Sequence, residues 1–172
     1  IQIPHRFTRK EDIEIAGFLS ASIAWGQRKS IIKNANFLMD LMDNTPYHFL
    51  MEEKKFVRFN RFVHRTFNGI DCQFFLNSLK NIYKNYGGLE QVFTDGFQKN
   101  ETIFSALHHF RNLFLNIPHE ARSRKHLSDV TTNSAAKRLN MFLRWMVRKD
   151  DQEVDFGLWK NITPQEYGRY YI

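Results

Sequence analysis

The chain has 172 residues, with 25 Lys and Arg against 18 Asp and Glu, and Cys72 is its single cysteine. That length suits one domain with a proper core, and the basic balance favours nucleic acid or another polyanion as partner. One cysteine excludes an internal disulfide or a cysteine-held zinc or iron–sulfur cluster within the chain, and no apolar run approaches the ~18 residues of a membrane span.

Without a signal peptide the chain reads as cytoplasmic, and its start at Ile1 rather than Met reads as a piece of a longer protein. Ile1–Phe7 is expected to be an extended lead-in. Thr8 with Glu11 fits a capping box for a helix carrying Ile15, Phe18, Leu19 and Ile23 on one face and stopping near Gly26. A second helix follows with Ile31, Ile32, Ala35, Leu38, Met39 and Met42 at helical spacing. The junction between them, Trp25-Gly26-Gln27-Arg28-Lys29, sets an aromatic, a glycine, an amide and two cations side by side. Such a junction can wedge into a duplex and grip phosphates; the alternative is that Trp25 packs inward while Gln27, Arg28 and Lys29 are solvated.

Thr45-Pro46 opens a short helix expected to run to about Lys55. From Phe56 to Phe67 phenylalanines interleave with Arg58, Arg61, His64 and Arg65. The pattern suits a nucleic-acid surface, but a Phe-rich core with outward arginines is preferred. Asn68 caps a long helix with Ile70, Phe74, Phe75, Leu79 and Ile82 inward, ended by Gly87-Gly88, and Leu89–Phe93 makes one short turn. Asn100 is expected to cap a helix from Glu101 to about Leu115, with Ile103, Leu107, Phe110 and Phe114 on one side. His108 and His109 are adjacent and so point to different faces, which rules them out as an i,i+4 metal pair. No metal or cofactor is called for. Cys72, among apolar neighbours, reads as a core residue.

After Pro118, the basic loop His119–Ser128 contains Arg122, Arg124, Lys125 and His126 and leads into the stretch Asn133–Lys149. Drawn as a helix capped by Asn133 or Ser134, that stretch lines up Ala135, Leu139, Phe142 and Met146, with Leu143 and Trp145 on the flanks. Lys137, Arg144 and Arg148 fall on the opposite face within roughly 40° of one another. No acid lies between Asn133 and Lys149, so these cations lack i,i+4 partners. Lys137 lies in the first turn, where the helix dipole disfavours a protonated amine; the position suits a phosphate ligand or a nucleophile. Beyond Lys149 the charge changes sign at Asp150, Asp151, Glu153 and Asp155, which reads as an acidic surface turn, and Thr163-Pro164 opens a last short helix.

The run SAAKRLNMFLRWM resembles the second helix of the helix–hairpin–helix in DNA glycosylases, above all the 8-oxoguanine branch, and Gly17–Met42 is similar to the paired helices that open the glycosylase core. FLSASIAWG, HRTFNGID and KRLNMFLRWMVRKDD resemble an uncharacterised bacterial protein family related to those enzymes, over nearly the whole chain. The resemblance implies an all-α, multi-helix domain over residues 1–172. Lys137 would be the amine that attacks the sugar C1′, and Gln27, with Trp25, would reach into the duplex. Arg28, Lys29, Arg122, Arg124, Lys125, Arg144 and Arg148 are expected to grip damaged duplex DNA. Two departures stand out. No glycine precedes Lys137 in Ser128–Asn133, and the family's Pro-Leu-Asp is expected only after a stretch like Tyr170-Tyr171-Ile172. The competing readings are a non-catalytic nucleic-acid-binding module and a helical protein-interaction domain.

Overall fold

The computed structural model describes residues 2–152 and 154–169 and is all-α apart from one small hairpin. Its helices are α1 (Lys10–Ser22), α2 (Arg28–Leu41), α3 (Pro46–Glu52), α4 (Gly69–Asn85), α5 (Leu89–Asn100), α6 (Ile103–Phe114), α7 (Lys137–Val147) and α8 (Pro164–Arg169). Strands β1 (Val63–His64) and β2 (Phe67–Asn68) pair antiparallel, and 3-10 turns occupy Pro4–Arg6, Val57–Arg61, Ala121–His126 and Val130–Thr132. The expected extended lead-in is therefore partly helical.

α1 is the central element, buried from Ile13 to Ser22, because nearly every residue there is apolar or small. Phe18 projects from it into a ring of aromatics contributed by three other helices. Phe75, Phe110, Phe114 and Phe142 lie with centroids 5.5–5.9 Å from its own. Gly17 lets α7 approach α1 closely: a Cβ there would stand 3.2 Å from Met146 Cε and 3.4 Å from the Phe142 ring. The phenylalanines at 56, 59, 62 and 67 are buried, as a core reading requires, and Cys72 is buried with them; burial pushes its thiol well above the ordinary range.

Several local expectations give way to longer-range packing. Thr8 does not cap α1; Arg9 stands at the N-cap with no side-chain cap bond, and Glu11 pairs with the Arg9 guanidinium at 3.1 Å. Ile70, in the first turn of α4, is 46% exposed rather than inward, while Gly69, Asp71 and Cys72 around it are buried. The short turn expected at Leu89–Phe93 is a full helix to Asn100. Gly96 in its middle accommodates α6, where a Cβ would come within 2.9 Å of Ala106 Cα. Thr102, not Asn100, caps α6 by accepting from Ser105 N at 3.0 Å. Among the described residues no helix is long and apolar enough to cross a membrane.

Candidate nucleic-acid interface

α7 starts later than its sequence pattern suggests. Asn133 and Ala136 both have left-handed backbone, at φ +58° and +43°, and the helix begins at Lys137. The turn before it thus adopts at Asn133 and Ala136 the conformation for which glycine is the usual residue. Ser134 Oγ accepts from Ala136 N at 3.2 Å, but no side chain caps the helix itself, and Ala135 lies exposed outside the apolar stripe. The element ahead of this turn is not an α-helix: the 3-10 turns Ala121–His126 and Val130–Thr132 fill the space after α6.

Lys137 is exposed at the first helical position and has no carboxylate partner among the described residues. With Met141, Arg144, Arg148, Pro164, Tyr167 and Gly168 it lines a cleft of about 450 Å³ between α7 and α8. Arg144 and Arg148 do have an acid, despite the absence of one within the helix. Asp155 returns from the following segment and places Oδ2 3.1 Å from Arg144 Nε and 4.0 Å from Arg148 Nε. Asp155 is buried rather than on a surface turn, and its Oδ1 has no hydrogen-bond partner among the described residues. One carboxylate thus orients the two guanidiniums, while Lys137 has no such partner among the described residues. Glu153, expected in the same acidic turn, lies outside the described residues, as do Tyr170, Tyr171 and Ile172.

Arg138, which sequence reasoning passed over, turns the other way from Lys137. Its Nη1 donates to Ser22 O at 2.6 Å, at the carbonyl end of α1, and its guanidinium lies 4.7 Å from the Trp25 ring centroid. This contact brings the start of α7 beside the α1–α2 junction. Trp25 is half-buried and held on several sides: His64 meets it edge-on at 5.0 Å and His126 stacks at 6.0 Å. Its indole is built into the fold and is not a free wedge. Gln27, Arg28 and Lys29 are exposed on the first turn of α2. Gln27 joins Trp25, Ser30, Asn34, His64 and Arg65 around a second cleft of about 290 Å³.

The basic loop divides in a way its sequence conceals. Arg122 faces inward: Nη1 donates to Asp71 Oδ2 at 2.9 Å and Asn68 Oδ1 at 3.0 Å, and Nη2 donates to Thr66 O at 3.0 Å. Asp71 is fully buried and also accepts from Ser123 Oγ at 2.6 Å and Asn68 N at 2.9 Å. His126 Nε2 comes within 3.3 Å of the same carboxylate without a hydrogen bond, and burial holds its pKa below the ordinary 6.5. Arg122 is therefore engaged by the fold and is not the free loop cation its position in the sequence suggests. Arg124 and Lys125 are exposed, Arg124 with Nε donating to His119 Nε2 at 2.9 Å. Among the described residues, the surface cations of the expected set that have no side-chain partner are thus Arg28, Lys29, Lys125 and Lys137.

A second polar cluster lies away from these clefts. Glu14, only 2% exposed, accepts from Tyr83 Oη and Trp159 Nε1, both at 2.7 Å, and burial raises its pKa. Glu90 accepts from Lys10, from Lys160 N at 2.8 Å and from Asn161 N at 3.3 Å. Burial alone would push Glu90 upward, but these donors outweigh it and hold its pKa below the carboxylate range. The signal for this cluster in the sequence is weak, because its members come from α1, α4, α5 and the segment before α8.

One family model, described as a protein of unknown function (DUF2400), matches residues 1–167. No curated protein and no solved structure matches the chain.

Proposed function

We propose, for a chain that belongs to the DUF2400 family, that it binds DNA through the α7 face and the α1–α2 junction and acts on it as a glycosylase-like lyase through Lys137. The observation that carries this reading is the position of Lys137: first residue of α7, exposed, without a carboxylate partner among the described residues, and on the wall of a cleft with Arg144 and Arg148. An uncapped helix start offers backbone N–H groups to a phosphate, and an amine there can reach a sugar held by that phosphate. The two arginines, oriented by Asp155, would flank the backbone. In the chemistry the glycosylase resemblance implies, the neutral Lys137 amine attacks C1′ and the C1′–base bond breaks with its electron pair going to the base, which takes up the proton the amine loses; the nitrogen lone pair then opens the C1′–O4′ bond to give an iminium, and O4′ takes a proton from water.

A second reading, DNA binding without catalysis, is favoured by the cleft lining, which among the described residues contains no Asp or Glu. Borohydride reduction of the full chain on abasic or oxidised duplex separates the two. A covalent adduct that disappears in Lys137→Ala supports the lyase. No adduct on any such substrate, with binding whose log affinity falls with log salt by about 0.9 per neutralised phosphate, supports binding alone. No salt-dependent binding at all overturns both.

A further inference from the structure

The geometry points to a nucleobase site in the cleft between the start of α2 and the β1–β2 hairpin, where an unstacked base lies against the Arg65 guanidinium and is read along its edge by Gln27, Ser30 and Asn34. The inference rests on the nucleic-acid reading for its ligand class and adds to it a place where a base, rather than a phosphate, is held.

His64 is buried, and its Nε2 lies 3.0 Å from the Trp25 carbonyl, which can only accept; Nε2 therefore carries the hydrogen. Nδ1 is left as an acceptor and takes a hydrogen bond from Asn34 Nδ2 at 2.8 Å. That pairing fixes the direction of the Asn34 amide and leaves its Oδ1 without a partner among the described residues. The side chains of Gln27, Ser30 and Arg65 also make no hydrogen bond among the described residues. The cleft thus presents an amide oxygen, a whole carboxamide, a hydroxyl and a guanidinium, in a space of about 290 Å³.

This set excludes most ligand classes. No carboxylate or thiolate lines the cleft, and both imidazole nitrogens are occupied, so it cannot hold a metal cation. Its lining is too polar for a lipid tail, and a single cation is a poor match for a phosphomonoester dianion. Mixed donors and acceptors around a flat space suit the edge of a nucleobase. Trp25 does not supply the stacking face, since Arg138, His64 and His126 already pack around its ring. The Arg65 guanidinium plane is the group left for that purpose.

The placement of Arg65 is unusual in its own right. It is the first residue of the two-residue hairpin loop and sits at φ +54°, where Gly, Asn or Asp is the common choice. An arginine there holds backbone strain, and such strain concentrates at functional positions. Its side chain passes over Gly26, where a Cβ would stand 2.9 Å from Nη1. Arg28 and Lys29, exposed beside the cleft, are placed to meet the phosphodiesters on either side of the base.

The test compares a short single-stranded DNA with the same strand abasic at its central position, both titrated with the full chain at fixed salt by fluorescence anisotropy. The intact strand is expected to bind about tenfold more tightly, as one or two edge hydrogen bonds would give. Asn34→Leu should abolish that preference while leaving the salt slope unchanged. The exposed pair Gln27→Ala with Ser30→Ala gives the same readout without touching His64, should the leucine disturb the fold. Equal binding of the two strands, or a preference that survives these variants, overturns the site. Borohydride adducts on the abasic strand are read in the same samples. A preference without adduct counts against Lys137 chemistry alone, an adduct without preference counts against the base site alone, and no binding by either strand counts against both.

Discussion

Lys137 and Arg138 are neighbours in sequence and opposite in use. Lys137 faces the cleft beside α8, whereas Arg138 is drawn inward to the Ser22 carbonyl and the Trp25 ring, and burial lowers its pKa. Helical phase alone places them about 100° apart, but only the end of α1 decides which of the two is spent on the fold. His126 is a similar case. Burial outweighs the nearby Asp71 carboxylate and holds its pKa below the ordinary 6.5, so the fold resists a proton that the unfolded chain accepts. Its contribution to stability is therefore complete above pH about 6.5 and is lost as pH falls through the folded-state value. Thermal unfolding should show Tm falling between pH 7 and 5. His126→Asn should flatten that part of the profile while lowering Tm at pH 7; a profile identical to that of the parent chain would remove His126 as its source.

At the scale of elements, the apolar spacing of α4, α6 and α7 is legible in the sequence because burial on one face imposes a period of 3.6 residues. α5 is the element that this reasoning shortens. Its second half carries Thr94, Asp95 and Gly96, poor helix formers on their own, and packing against α6 overrides that preference. Gly96 stands where a Cβ would meet His109 Cβ at 2.7 Å and Ala106 Cα at 2.9 Å. Gly96→Ala, which raises helix propensity in isolation, is expected to destabilise the protein by about 2 kcal/mol through overpacking. Urea unfolding measures this directly, and an unchanged or higher midpoint would show that α5 and α6 can separate without loss. The start of α7 was misplaced for a related reason: Asn133 and Ser134 have the chemistry of caps, but the left-handed backbone at Asn133 and Ala136 delays the helix to Lys137.

Across the whole molecule, the segment after α7 is held by groups far away in sequence. Trp159 Nε1 donates to Glu14, Lys160 N and Asn161 N donate to Glu90, and Phe156 N and Trp159 N donate to the Trp145 and Met146 carbonyls. The same segment delivers Asp155 to the arginines and carries Pro164, Tyr167 and Gly168 to the far wall of the cleft. Trp159→Phe keeps an aromatic ring but removes the donor to a buried carboxylate. A loss of about 2 kcal/mol is expected by denaturant titration. An accompanying weakening of DNA binding would follow from a loosened cleft wall, and full retention of both would disconnect the Glu14 cluster from the site.

The amino-acid sequence by itself determined the helical class, the positions of most core phenylalanines and the charged face of α7, because each follows from a short-range period. Which cations stay free was decided only by tertiary structure. Arg144 finds its acid 11 residues on, Arg122 finds Asp71 51 residues back, and Arg138 and Trp159 find their partners at separations of 116 and 145 residues. A charge's partner depends on which surfaces the core brings together, and no local pattern in the chain encodes that meeting.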